Sequence, residues 1–220
     1  MTECMFSLLN KNGTIIIEIQ YLLNTLKDLT FDNIYHEHYN YWSLTSLNFF
    51  FNQFGGKIFR AEEIKTHGGS LRIYLKKHSK IKVEKSVKIL LKKEENYGLK
   101  NFKTYQKFGE EVYSIRSNVR KNFTKLKNKY KKIIGYGSPA KATTALNFFG
   151  ISKELDFVVE DNKLKHGKFI PGVKIPILNK NKIQNKDNPI VVLAWNFYNE
   201  IRSKNNNLTE KFINIKELEK

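Results

Sequence analysis

Residues 14–19, Thr14-Ile15-Ile16-Ile17-Glu18-Ile19, make a β-branched run introduced by Gly13, and the run predicts a buried strand. Only residues 1–12 precede it, so a strand this apolar suggests a chain that begins partway through a sheet. Leu44, Leu47, Phe50, Phe51 and Phe54 recur at helical spacing, which predicts a helix over 43–54 closed by Gly55-Gly56. Residues 57–64 and 70–75 read as strands flanking a His67-Gly68-Gly69 turn. From 80 to 130 there is no proline, and apolar residues such as Val87, Leu90, Val112, Ile115 and Phe123 are set among charges. This pattern predicts one or two long amphipathic helices, broken near Asn96-Tyr97-Gly98. Beyond them an alternation appears: strand 132–135, helix 140–149, strand 155–159, a Gly/Pro-punctuated stretch to Pro176, strand 190–194, helix 196–204 and strand 212–215. Alternation of this kind predicts an α/β fold with a mostly parallel sheet and helices on its faces. No internal repeat is visible, and the Asn/Lys-rich 179–188 is the segment expected to form a mobile loop.

Composition narrows the function classes. The 220 residues suffice for one large domain or two small ones, and no apolar run reaches the roughly 18 to 20 residues of a membrane span. The first nine residues lack a basic n-region and a long apolar stretch, so a cytoplasmic protein with no membrane partner is expected. The single cysteine, Cys4, excludes an internal disulfide framework and a cysteine-based zinc cage. A formal charge of +18 would suit a nucleic-acid partner, but only five of the 39 basic residues are arginine, and the lysines run from Lys11 to Lys220. Such dispersion reads as a solvated lysine-rich surface, with a weak leaning towards phosphate-bearing ligands and no nucleic-acid partner.

Three clusters carry candidate chemistry. In Tyr35-His36-Glu37-His38-Tyr39, followed by Tyr41 and Trp42, groups that exchange protons near neutral pH stand side by side, as a proton-transfer site requires. His36 and His38 would share one face of an extended segment and suit a metal. However, no spacing marks a further ligand among His67, His78, His166 or the carboxylates, so no metal is expected. The same side chains could also simply satisfy one another beneath an aromatic lid. The second cluster is Gly135-Tyr136-Gly137-Ser138-Pro139-Ala140, which satisfies G-x-G-x-x-A between a strand and a helix, with Lys141 next to it. Helix N-termini offer free N–H groups to anions, and Glu160-Asp161 lies where a dinucleotide fold places a ribose-binding carboxylate, although any such turn favours glycine for structural reasons alone. The third is His67-Gly68-Gly69-Ser70-Leu71-Arg72, in which paired glycines allow close approach and Arg72 could fork onto a phosphate; as a bare turn it signals little.

Together with Phe31-Asp32-Asn33-Ile34 before the first cluster, Lys165 to Gly172, and Leu193-Ala194-Trp195-Asn196-Phe197, these strings occur in an order that resembles one family: the S-adenosylmethionine-dependent C-methyltransferases acting on nucleotide-linked keto-deoxysugars. The resemblance covers nearly the whole chain. It implies a catalytic set of Tyr35, Glu37 and His38, with His38 as base. It also implies substrate contacts from His67, Gly68, Gly69, Ser70, Arg72, Gly135, Gly137, Ser138, Lys141 and Lys165 to a nucleotide-diphosphate sugar. Family members have a zinc-binding N-terminal domain, a Rossmann-like donor domain and a C-terminal Rossmann-like domain. By that comparison residues 1–78 are a remnant of the donor domain bearing the catalytic motif, 79–130 are connecting helices and 131–220 are the nucleotide-sugar-binding domain. The chain departs from the family at its front, where the cysteine cluster and the glycine-rich donor loop have no counterpart, and at Lys163, where proline is usual. The resemblance therefore implies a truncated reading frame, or a separate chain supplying the S-adenosylmethionine domain. Two other readings fit the same strings: an NAD-dependent oxidoreductase built on the glycine turn, and a non-catalytic nucleotide-sugar-binding remnant.

Overall fold

The computed structural model describes residues 2–65, 69–77 and 81–220. The chain divides into two compact units: Met1–Thr30 with His38–Gly109, and Phe31–Glu37 with Glu110–Lys220. Among the described residues no helix is long and apolar enough to cross a membrane.

The first unit contains helix α1 (Thr2–Ser7), strand β1 (Ile15–Gln20), helices α2 (Leu22–Lys27) and α3 (Leu44–Gln53), strands β2 (Gly56–Ile64) and β3 (Ser70–Lys77), and helix α4 (Lys85–Tyr97). Its three strands pair in the order β1-β3-β2 and are antiparallel throughout. Leu71, Ile73 and Leu75 alternate along the central strand and are all fully buried, because every second side chain of β3 points at the core beneath α3 and α4. The same alternation corrects the expectation of a buried first strand. Ile15, Ile17 and Ile19 pack on that core, while Ile16 is 59% exposed on the other face. α3 starts at a capping box in which the Ser43 hydroxyl accepts from Ser46 N–H and the Ser46 hydroxyl accepts from Ser43 N–H. α4 stops where Gly98 turns left-handed, as the Asn96-Tyr97-Gly98 break predicts.

β1 is an edge strand, pairing among the described strands with β3 alone, and Ile16 is exposed on it. Edges of this kind template pairing with another copy. The purified chain is expected to sediment faster as its concentration rises, and Ile16→Lys is expected to weaken that dependence. Concentration-independent sedimentation of the parent protein would show that the edge is protected.

The second unit contains helix α5 (Phe102–Lys129, of which the part from Glu110 belongs here), strand β4 (Ile134–Tyr136), helix α6 (Ala140–Phe149), strands β5 (Phe157–Val159), β6 (Ile177–Leu178) and β7 (Ile190–Val192), helix α7 (Tyr198–Lys204) and strand β8 (Phe212–Asn214). All five strands are parallel in the order β6-β5-β4-β7-β8. The continuous apolar run Ile190-Val191-Val192 is buried completely, as expected of an inner parallel strand covered on both faces. Along α5, Val112, Ile115, Val119 and Phe123 make the buried stripe. On the same helix the Asn118 and Asn122 amides donate to the carbonyls of Glu219 and Leu218, which ties down the C-terminal turn. Within 179–188, Asn179 caps a short 3-10 turn, Lys180–Lys182, and Ile183 packs on the sheet core. The architecture is thus α/β, with a three-stranded antiparallel and a five-stranded parallel sheet.

Candidate functional site

In an open parallel sheet, ligands bind beyond the carboxyl ends of the strands, where the strand order reverses. Here that switch point lies between β4 and β7, with Gly137 to Lys141 following one strand and Leu193 to Trp195 the other. Gly137 adopts φ +87°, donates its N–H to the Val159 carbonyl at 2.8 Å, and leaves no room for a side chain, since a Cβ would stand 3.0 Å from that of Ala194.

The acidic pair after β5 is committed to this turn. One Glu160 oxygen accepts from Ser138 N–H at 2.8 Å and Ser138 O–H at 2.6 Å, and the other accepts from Asn162 N–H at 3.1 Å. Lys165 lies 3.7 Å from the same carboxylate and donates to the Ser138 carbonyl at 2.8 Å. Asp161 accepts from the Tyr136 phenol at 2.9 Å and pairs with Lys180 at 2.9 Å. Burial, helped by Asp161, pushes the Tyr136 phenol well above its ordinary value. A ribose-binding role for either carboxylate would require breaking these bonds, and a phosphate at Ser138 N–H would have to displace Glu160. Gly135, Gly137, Ser138 and Lys165 therefore form one braced loop.

Burial alone would raise the Glu160 carboxyl, but the Ser138 hydrogen bonds, the Asn162 N–H and Lys165 outweigh it and hold the group below the ordinary 4.5. A carboxyl depressed on folding stabilises the fold above its unfolded value, and that stabilisation is lost as pH falls through the depressed value. Glu160→Gln is accordingly expected to flatten the loss of stability with acidification below about pH 4.5, measured by urea titration at several pH values.

Lys141 occupies the first turn of α6. Its Nζ is buried, makes no hydrogen bond, and lies 5.0 Å from the centre of the Trp195 ring. Burial lowers the Lys141 ammonium below its ordinary value; Asp32 opposes the shift and Lys216 adds to it. Lys216 lies 5.3 Å from the same indole ring and is paired with Glu219 at 3.0 Å. Burial raises the Glu219 carboxyl, with Lys216 pulling the other way. Asp32 is only 3% exposed; its Oδ2 accepts the Trp195 indole N–H at 2.6 Å, while its Oδ1 has no hydrogen-bond partner. Trp195 stands beside Lys141 and Asp32 bonds its indole, and the sequence reading singled out neither residue. The available signal was an aspartate standing between an apolar residue and an amide in one motif, and a tryptophan directly after an inner strand in another.

Phe31–Asn33 form a single 3-10 turn in the second unit, with Phe31 packed on Phe148 and Phe149 at 4.9 and 5.5 Å between ring centres. Tyr35 and Glu37 follow in the same unit. The Tyr35 phenol is raised by burial first, then by Glu37 and Asp32. Glu37 lies 4.0 Å from His36, both well exposed, and the half-buried His38 belongs to the first unit. Among the described residues no group of three His, Cys, Asp or Glu is placed to hold a metal ion.

The third cluster lies on β3 of the first unit, and His67 and Gly68 are outside the described residues. Gly69, at φ +109°, makes room for the Asn24 side chain, which occupies the place a Cβ would take. Ser70 is buried opposite Gln20 and Ile64, and Arg72 forks onto one oxygen of its cross-strand neighbour Glu18 at 2.7 and 3.1 Å. The guanidinium expected to meet a phosphate is engaged within its own sheet.

A parallel sheet of this order, with a glycine turn and a buried lysine at its switch point, makes the second unit an α/β domain. Residues 65–214 match the C-methyltransferase C-terminal domain family, and the chain belongs to that family. It is also 30% identical over 198 residues to C-methyltransferase NovU of Streptomyces niveus, an alignment covering 89% of this chain and 47% of NovU. The chain thus spans about half the length of that curated relative.

Proposed function

We propose that this chain is the substrate-holding and proton-abstracting part of an S-adenosylmethionine-dependent C-methyltransferase that acts on a nucleotide-diphosphate keto-deoxysugar. The observation that carries the reading is Lys141, a buried ammonium that makes no hydrogen bond, at the switch point of a domain of this family. A buried cation without a hydrogen bond costs stability, and an anionic phosphate entering beside it would supply the missing acceptor. Gly137 and the braced Ser138–Lys165 loop shape the same end of the sheet, and the strand order supports reading this unit as Rossmann-like. The three-stranded sheet of the first unit is read as the closing part of a donor domain, and Gly69, Ser70 and Arg72 are proposed as substrate contacts.

The chemistry begins at a carbon next to the sugar ketone. His38 takes the proton from that carbon, the C–H electron pair forms a C=C bond as the carbonyl π pair moves onto the ketone oxygen, and the Tyr35 phenol donates a hydrogen bond to the developing charge. Glu37 orients the imidazole. The donor, when bound, supplies an electrophilic methyl group in line with the carbanion, which needs positioning and no metal. The glycine turn described above does not suit an adenosyl donor, because both carboxylates that would meet the ribose already have partners. The donor is therefore held by a separate chain or segment. An NAD-dependent dehydrogenase is the weaker alternative for the same reason.

Separate calorimetric titrations of the purified chain with dTDP and with S-adenosylmethionine test the reading. Weak dTDP binding, with Kd of about 1 mM or below (roughly 4 kcal/mol or more), and no measurable S-adenosylmethionine binding or methyl transfer are expected. Tight donor binding, or methyl transfer to a keto-sugar that disappears in His38→Ala, would show that the chain builds its own donor site. Absence of dTDP binding would remove the nucleotide-sugar assignment.

A further inference from the structure

The segment that carries Tyr35 and Glu37 is physically part of the second unit, although most of the sequence around it belongs to the first. Contacts with α6 and with Trp195 hold it there. Phe31 fills an aromatic notch made by Phe148 and Phe149 at the end of α6. One residue later, the buried Asp32 accepts the Trp195 indole N–H at 2.6 Å. From that anchor the chain reaches Tyr35 through consecutive short hydrogen bonds, Ile34 N–H to Phe31 C=O at 2.9 Å and Tyr35 N–H to Asn33 C=O at 3.1 Å.

The anchor is also joined to the nucleotide end of the site. Trp195 directly follows Ala194, whose Cβ fixes the space at Gly137, and its ring faces the ammonium groups of Lys141 and Lys216. A tryptophan ring near cations gains from a carboxylate accepting its N–H, because electron density moves from the N–H onto the ring face. Asp32 keeps one oxygen without a hydrogen bond, and Lys141 keeps all its donors. Buried groups left in this condition depart from the rule that such groups are satisfied, and departures of that kind concentrate where function requires them.

We infer that Asp32 and Trp195 are positioning residues. Their hydrogen bond latches the Tyr35–Glu37 segment to the switch point and makes its placement respond to an anion taken up by Lys141. The functional meaning rests on the reading proposed above, whereas the latch itself rests on the geometry. A charge-assisted hydrogen bond to a buried carboxylate contributes enough to control the local opening of a single turn, and local opening is what amide exchange measures.

The test uses the full chain with Trp42→Phe, which leaves Trp195 as the sole indole of the two in the sequence. In this background, Trp195→Phe and Asp32→Asn are expected to speed amide exchange of Ile34 and Tyr35 at least tenfold, with exchange along β3 and the far-ultraviolet circular dichroism unchanged. Unchanged exchange at Ile34 and Tyr35 in both variants overturns the latch. In the Asp32-intact protein, dTDP is expected to shift the Trp195 emission. In Asp32→Asn, calorimetry is expected to give a similar dTDP affinity while amide exchange at Tyr35 no longer responds to the ligand. A purely structural contact would not give that separation of affinity from response. Binding of dTDP by calorimetry with no change in Trp195 emission or in Tyr35 exchange overturns the coupling. Absence of binding takes down the nucleotide reading, and the exchange comparison without ligand still decides the latch.

Discussion

Replacing Glu94 by alanine is expected to lower the stability of the first unit by about 3 kcal/mol or more, measured by urea unfolding. This side chain is 1% exposed and has no cation beside it among the described ion pairs. It is satisfied by four donors: Leu44 N–H at 2.6 Å and the Tyr21 phenol at 2.8 Å on one oxygen, and Thr45 N–H at 2.9 Å and the Thr45 hydroxyl at 2.5 Å on the other. Two of these are first-turn N–H groups of α3, which have no partner within their own helix and carry the positive end of its dipole. The carboxylate of α4 thus serves as a cap for α3 and as an acceptor for a tyrosine that is itself completely buried. Burial and Glu94 push the Tyr21 phenol far above its ordinary value, so it acts only as a donor there. Alanine would leave four donors in a closed space, each costing on the order of 1 kcal/mol or more, softened where water enters. Glu94→Gln keeps one good acceptor and is expected to lose less. A loss below about 1 kcal/mol for alanine would mean that water replaces the carboxylate at little cost.

Glu94 was legible in the sequence to a reader who trusts periodicity over polarity. Val87, Leu90 and Glu94 share the buried stripe of α4, at the spacing that places them on one face, whereas Glu95 beside it pairs with Lys92 in solvent. The strand-helix alternation after residue 131 was legible for a similar reason: inner parallel strands are short, wholly apolar runs, and α6 carries proline at its cap and glycine after its end. Other elements left almost no trace. α2 has only six residues, beginning after Tyr21, whose phenol is anchored on Glu94 seventy-three positions away; local propensity holds no record of such an anchor. β6 has two residues pressed between Pro176 and Asn179, below the length at which alternation can be read.

At the candidate site the residue types were readable and their partners were not. The spacing from Gly137 to Glu160 suggests a ribose ligand, but the carboxylate folds back onto Ser138, and nothing in the spacing distinguishes the two outcomes. Arg72 likewise finds Glu18 through strand pairing, a register fixed only when β1 and β3 come together. Tyr35, Glu37 and His38 are adjacent in sequence, yet the chain passes from one compact unit to the other between the last two.

Lys141→Met is expected to keep or slightly raise stability near neutral pH while reducing dTDP affinity by tenfold to a hundredfold. The two effects have one origin. An ammonium whose pKa is depressed by burial is a cost to the fold when protonated, and methionine of similar length removes that cost without opening a cavity. The pH dependence follows from the sign of the shift. Below the depressed folded value both native and unfolded chains hold the proton, and the cost is fully present. Between that value and the ordinary 10.5 the native state sheds its proton first, so stability gained from this group rises with pH. The rise is expected to be absent in Lys141→Met. A nucleotide diphosphate entering the switch point would reverse the balance, since a phosphate oxygen beside Nζ favours the charged form and adds a charge-assisted hydrogen bond of about 1.5 to 3 kcal/mol. On that account the parent protein takes up protons when it binds dTDP at alkaline pH, seen as a dependence of the calorimetric heat on the ionisation enthalpy of the buffer, and the methionine variant does not. Equal dTDP affinity in the two proteins would place the phosphate elsewhere. A loss of stability above about 2 kcal/mol in the variant would mean that the lysine supports the fold through its contacts with Trp195 and is not held in reserve for a ligand.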